Sequence, residues 1–217
     1  MGVRQRVIDI VVGQFVQPRG LAGRLVGWEM AMRPSNWKRN LWAVDLLEVR
    51  PTECVLEIGF GPGVAIRALA RRTSAGKVYG IDHSEVMVRQ AMARNRAAVK
   101  EGRVTLCLGS QEDLSTLGVL FDKVLIVNNF GMWPAPQQTL ENLRSVMRPG
   151  GRVAIVSQPR CPGATAETTR RAGRVTAEHL RDAAFTGIRT EMLNLRPPVV
   201  SVLGDAPATG ERPCGTE

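Results

Sequence analysis

Glu57, Gly59, Gly61 and Gly63 stand at alternate positions in "VLEIGFGPGVAI" (55–66). An apolar run that reads as a strand leads into them, and a helical pattern leads out. Such a loop turns backbone N–H groups and a helix N-terminus toward a bound group. Two common ligands are rejected. The dinucleotide fingerprint G-x-G-x-x-G needs a third glycine where Val64 stands, and no G-K-[ST] follows for a phosphate loop. Glu57, ahead of the first glycine, would repel a pyrophosphate but suits a ligand carrying an ammonium group, or water held against one. Asp82, 25 residues further on, ends a second apolar run, where a carboxylate accepts hydrogen bonds from ribose hydroxyls. Ammonium, ribose and glycine loop together describe an amino-acid nucleoside.

These residues need a scaffold of alternating strands and helices. Strands are expected at 54–60, 77–82, 103–109, 121–130 and 152–157. Helices are expected at 63–72, 84–100 (capped by Ser84) and 135–147. The run at 121–130 is almost continuously apolar, as a strand covered on both faces should be. A short helix at 176–185, capped by Thr176, and two strands at 188–196 and 198–204 close the pattern. Before this core, apolar residues at helical spacing predict helices over 3–16 and 21–32. Pro34 ends the second, and a third helix starts at Ser35 or Asn36 as its cap. The expected organisation is a helical lid over 1–48, a core over 49–204 and a flexible tail over 205–217. The fold class is α/β, a doubly wound sheet with helices on both faces.

Residues 50–160 resemble the class I S-adenosylmethionine-dependent methyltransferases, of the type acting on small molecules. "VLEIGFGPG" looks like their first motif, "VYGIDHS" the second and "GSQEDL" the third. "NNFGMW" and "LRSVMRPGGRVAIVS" look like the fourth and fifth. The resemblance implies a Rossmann-like, mostly parallel sheet of seven strands with a reversed final hairpin, and S-adenosylmethionine as methyl donor. Carried over by position, Gly59, Gly61 and Gly63 let the backbone approach the methionine portion, with Glu57 nearby. Asp82 binds the ribose, His83 lies against the adenine and Asn128 offers its carbonyl to the amino group. Two positions depart from the family pattern. Glu57 replaces the more usual Asp, and Ser110 with Gln111 replaces Asp-Ala in the third motif. Ser110 can still hydrogen-bond the adenine edge, though not as a carboxylate.

Phe130, Met132 and Trp133 follow the fourth strand at its C-terminal end, where ligands bind in such sheets. Phe130 and Trp133 are candidate acceptor contacts. Trp28, Trp37 and Trp42 fit either a substrate cavity or core packing, and His179 reads as a surface residue. With two His and one Tyr in the chain, no catalytic base is assigned. Asn128-Asn129-Phe130 lacks the prolines of methylases that act on base nitrogens or glutamine.

The 217 residues carry a formal charge of +9. The basic residues are scattered, without blocks or interleaved aromatics, which favours a solvated surface over nucleic-acid binding. Cys54, Cys107, Cys161 and Cys214 form no C-x-x-C pair, which argues against a metal site. No apolar run approaches the ~20 residues of a membrane span. Asp9 interrupts the first apolar patch and no small-residue cleavage site follows, so a signal peptide is not expected and a cytoplasmic enzyme is. The expected activity is methylation of a small molecule. Its alternatives are methylation of RNA or protein, of a lipid or quinone at a membrane surface, or cofactor binding without catalysis.

Overall fold

The computed structural model describes residues 33–159, 161 and 163–208. The helices expected over 3–16 and 21–32, and most of the expected tail, lie outside them. Helix α1 spans Pro34–Leu46. It is followed by β1 (Cys54–Ile58), α2 (Val64–Arg72), β2 (Lys77–Asp82), α3 (Glu85–Arg94), α4 (Arg96–Lys100) and β3 (Val104–Leu108). Next come β4 (Phe121–Val127), α5 (Pro136–Ser145), β5 (Met147–Ser157), α6 (Ala166–Asp182), β6 (Thr186–Leu193) and β7 (Val199–Asp205). Single 3-10 turns lie at Leu114–Leu117 and Phe130–Met132.

The sheet order is β3-β2-β1-β4-β5-β7-β6. β1 to β5 run parallel, while β7 is antiparallel to both β5 and β6. This is the seven-stranded sheet with a reversed final hairpin. Successive residues of its strands feed two separate cores, one on each face. Leu56, Ile58, Val124 and Ile126 pack toward α5 and α6. Val55 and Leu125 pack toward α1 and α2. Strict alternation puts Glu57 on the same face as Val55, under α1 and α2. The order reverses between β1 and β4, and the crevice beyond their C-terminal ends is where such sheets bind ligands.

Several expected boundaries move, each for a local reason. Pro34 opens α1 from its first turn, where its missing N–H costs nothing; the helix it was expected to end lies outside the described residues. Neither Ser35 nor Asn36 caps it. The single helix expected over 84–100 is broken at Asn95, whose side-chain amide donates to Ala91 O and Gly63 O. Ser84 does cap the first part, accepting from Met87 N at 3.5 Å. β4 stops at Val127 because Asn128 takes φ 53° and the chain then coils into the 3-10 turn. β5 starts five residues early, at Met147, so "RPGG" lies within the strand. α6 begins ten residues before the expected start, behind a capping box between Thr165 and Thr168. Thr176 is therefore a buried interior residue, its hydroxyl donating to Ala172 O at 2.9 Å. Asp205 belongs to β7 rather than to a tail, and its carboxylate accepts from Arg152 Nε at 2.8 Å.

Candidate functional site

The glycine loop joins β1 to α2, and all three of its glycines hold left-handed φ angles, 69°, 53° and 76°. Those angles exclude most side chains at low strain. The space around each glycine differs. A Cβ on Gly59 would overlap the Asn129 side-chain amide, and one on Gly63 would stand 2.7 Å from Ala91 Cβ. One on Gly61 would meet no heavy atom within 4 Å. Gly61 thus presents bare backbone to an open volume, while its neighbours are closed by the fold. The loop is held from α3: Arg94 Nε donates to Pro62 O at 2.7 Å and Asn95 Nδ2 to Gly63 O at 3.2 Å.

The volume that Gly61 faces is a cavity of about 110 Å³ at the C-terminal ends of β1, β2 and β4. Glu57, Gly59, Gly61, Asp82, His83 and Asn128, each expected near the cofactor, are brought together on its lining. Gly63, N-cap of α2, is absent from the lining. Asp82 is buried and braces the loop: Oδ2 accepts from Gly61 N at 2.8 Å and Oδ1 from Ser84 N at 2.9 Å. Burial raises its pKa, against the lowering effect of those N–H groups and of His83. Glu57 is 2% exposed. Burial pushes its carboxyl well above the usual range, the Asp82 charge adds to this, and an N–H of Ile66 opposes it. Its Oε2 has no hydrogen-bond partner among the described residues. Two buried carboxyls on one cavity, one with an orphaned oxygen, make a site for a cationic hydrogen-bond donor.

Asn128 puts its side-chain oxygen to structural use, accepting from Gln158 N at 2.7 Å. Ser110 and Gln111 do not line the cavity. Ser110 instead closes a turn with Asp113, whose Oδ2 accepts from its N at 2.8 Å and its Oγ at 3.2 Å. Phe130 and Trp133 are not at this cavity either. They line a neighbouring one, with rings 5.2 Å apart edge to face, and Trp133 Nε1 donates to Asn129 Oδ1. His179 is not a simple surface residue; it lines that neighbouring cavity and meets Phe130 edge to face at 5.7 Å. Trp37 is 40% exposed, and neither it nor Trp42 lines either cavity. Trp28 lies outside the described residues.

Sequence reasoning missed the contribution of α1. Asn36, Arg39 and Asn40 are buried and form one wall of the first cavity. Arg39 donates from Nη1 to Gln158 Oε1 at 2.7 Å and from Nη2 to Asn36 Oδ1. Gln158 in turn donates from Nε2 to Pro197 O at 2.8 Å. A polar stripe at i, i+3, i+4 on a helix next to a ligand crevice is the signal that could have revealed this wall.

Residues 55–151 match the family model described as a methyltransferase domain. The uncharacterized methyltransferase YdaC of Bacillus subtilis (strain 168) is 32% identical over 179 residues, which are 82% of this chain and 97% of that one. A ubiquinone/menaquinone biosynthesis C-methyltransferase of Geotalea daltonii is 30% identical over 128 residues, 58% of this chain and 54% of its own length. Among solved structures, a SAM-dependent methyltransferase from Aquifex aeolicus matches with a TM-score of 0.64 at 20% identity, over 84% of this chain and 98% of that one. At that identity the structural likeness concerns the fold.

Proposed function

We propose that this chain, which belongs to the class I S-adenosylmethionine-dependent methyltransferases, methylates a small-molecule acceptor. It is an enzyme of methyl transfer, and S-adenosylmethionine is its donor. The observation that carries the cofactor assignment to named residues is the orphaned Glu57 Oε2. Glu57 lines the cavity that Gly61 and Asp82 share, so its buried carboxyl is an acceptor for the cofactor's ammonium.

The roles of the chain's own groups follow. Glu57 accepts from the ammonium, and the burial that raises its pKa makes that partner worth more than in water. Gly59 and Gly61 bring backbone close to the methionine portion, and Gly63 turns the chain into α2. Asp82 has each oxygen engaged by one backbone N–H. A carboxylate offers about four lone-pair sites, so two remain for ribose hydroxyls. His83 lies against the adenine and Asn128 offers its carbonyl to the amino group, while Ser110 and Gln111, away from the cavity lining, are assigned no cofactor contact. When bound, the cofactor would supply an electrophilic methyl group to the acceptor's lone pair, with S-adenosylhomocysteine as the leaving group. The protein's remaining task is alignment of the acceptor, and proximity alone accounts for much of such a rate enhancement.

Calorimetry with S-adenosylhomocysteine tests the reading. Asp82→Ala and Gly61→Val should each weaken binding by at least about tenfold, because one removes a buried acceptor and the other fills the open face of the loop at a strained φ. Unchanged affinity in both variants would sink the cofactor assignment. A second reading, a quinone-type acceptor met at a membrane surface, is supported by the quinone C-methyltransferase relative and by the +9 charge. No helix among the described residues is long and apolar enough to cross a membrane, so that contact would be peripheral. A cytoplasmic location suits either reading. Labelled cofactor incubated with pooled small metabolites, RNA and lipids discriminates. Label should enter the metabolite or lipid pool; label in RNA alone would overturn both.

A further inference from the structure

The C-terminal edge of the sheet carries a second cavity, about 410 Å³ against about 110 Å³ for the first. The two share one wall, the short stretch 128–133. Asn128, Asn129 and Met132 face the cofactor cavity, while Phe130, Gly131 and Trp133 face the second. Gly131 is exposed, and a Cβ there would meet no heavy atom within 4 Å, so this stretch is open to solvent. Phe130 and Trp133 are 6% and 7% exposed, so their rings are set by the core and not free to collapse into the space. With His179 they make an aromatic side to the cavity.

The opposite wall is α6, which brings Arg171 and Val175. Arg170 and Arg174, on either side of Arg171, both pair with Glu167. Among the described residues, Arg171 has no ion pair, is exposed, and is the only Arg or Lys on the lining. Among the described residues, no Asp or Glu lines the cavity. An aromatic side facing an unpaired guanidinium, with no competing carboxylate, suits a flat apolar body that carries an oxyanion.

We propose that this second cavity is the methyl acceptor's site, and that the acceptor is a ring compound bearing a carboxylate or similar oxyanion, its ring against Phe130 and Trp133 and its anion at Arg171. This rests on the methyltransferase reading and adds the acceptor's chemical class to it. The test is calorimetry of the full chain with 1-naphthoate and with its neutral analogue 1-naphthalenemethanol, each run with and without S-adenosylhomocysteine. The carboxylate should bind at least about tenfold tighter than the alcohol, the usual scale of one charge-assisted hydrogen bond. Arg171→Gln should abolish that difference. Val175→Trp, which fills the cavity from an exposed helical position, should weaken both ring probes. Neither substitution should change the affinity for S-adenosylhomocysteine. Equal affinity for the two probes, absence of binding by both, or an unchanged carboxylate affinity in Arg171→Gln would overturn the proposal. If S-adenosylhomocysteine alone failed to bind, the cofactor reading would fall, while the titrations without it would still report on this cavity.

Discussion

Glu57 concentrates the site's electrostatics in one side chain. Burial holds its folded-state pKa well above the ordinary 4.5 of a glutamate, so the folded chain holds a proton that the unfolded chain releases. Above pH 4.5 the unfolded state therefore binds fewer protons at this position, and stability falls as pH rises toward the folded pKa. Glu57→Gln removes that contribution. Thermal melts from pH 5 to 8 should show the wild type losing stability relative to the variant as pH increases. Saturating S-adenosylhomocysteine should reduce the loss, because its ammonium compensates the ionised carboxylate. A variant whose melting temperature tracks the wild type at every pH would mean that Glu57 is ordinary. The same residue was legible in the sequence as an acid ahead of three glycines. That its second oxygen is orphaned was not, since this depends on what folds over it.

At the scale of elements, the two helices that sequence reading handled worst, α1 and α6, are those whose buried faces are largely polar or small. α6 buries Thr169, Gly173, Thr176, Ala177 and Leu180, a helical spacing that hydrophobicity does not reveal. Gly173 stands there because of β7: a Cβ would come within 2.8 Å of Val200 Cγ2. Gly173→Ala gains about 1 kcal/mol of helix propensity but pushes a rigid β-branched neighbour, at a cost of about 1–3 kcal/mol. The net expectation is a lower melting temperature, by about 2–4 °C for each kcal/mol lost. A rise would show that the helix can move off the sheet freely. α3 offers a separate case. Asn95→Ala would remove the bonds to Gly63 O and Ala91 O, and the loop would lose one of its two supports from α3. S-adenosylhomocysteine affinity should fall several-fold while the melting temperature drops only by the roughly 1 kcal/mol of a hydrogen bond. Affinity equal to wild type would remove Asn95 from the loop's support.

Across the whole molecule, Arg39 ties α1 to the sheet through Gln158, 119 residues away in sequence. Gln158 also receives support from Asn128 and gives a bond to Pro197 O, so β4, β5, the β6–β7 connection and α1 meet at one buried polar cluster. Arg39→Met would leave Asn36 and Gln158 short of a donor inside the protein, at a cost of about 2–3 kcal/mol in denaturant unfolding. An unchanged midpoint would mean that the cluster contributes nothing to stability. The alternation of strand and helix, the two-faced core and the glycine loop were all determined by the sequence alone. They rest on local rules: side-chain period, apolar runs and turn residues act between near neighbours. The placement of Glu57, Gly61 and Asp82 around one cavity followed from the motif order, because a parallel sheet brings the ends of its strands together. The α1 wall, the turn that separates two cavities, and the pairing of Arg171 with an aromatic side were decided only by the tertiary structure. Each depends on groups far apart in the chain, and no local pattern records which buried polar residue will find which partner.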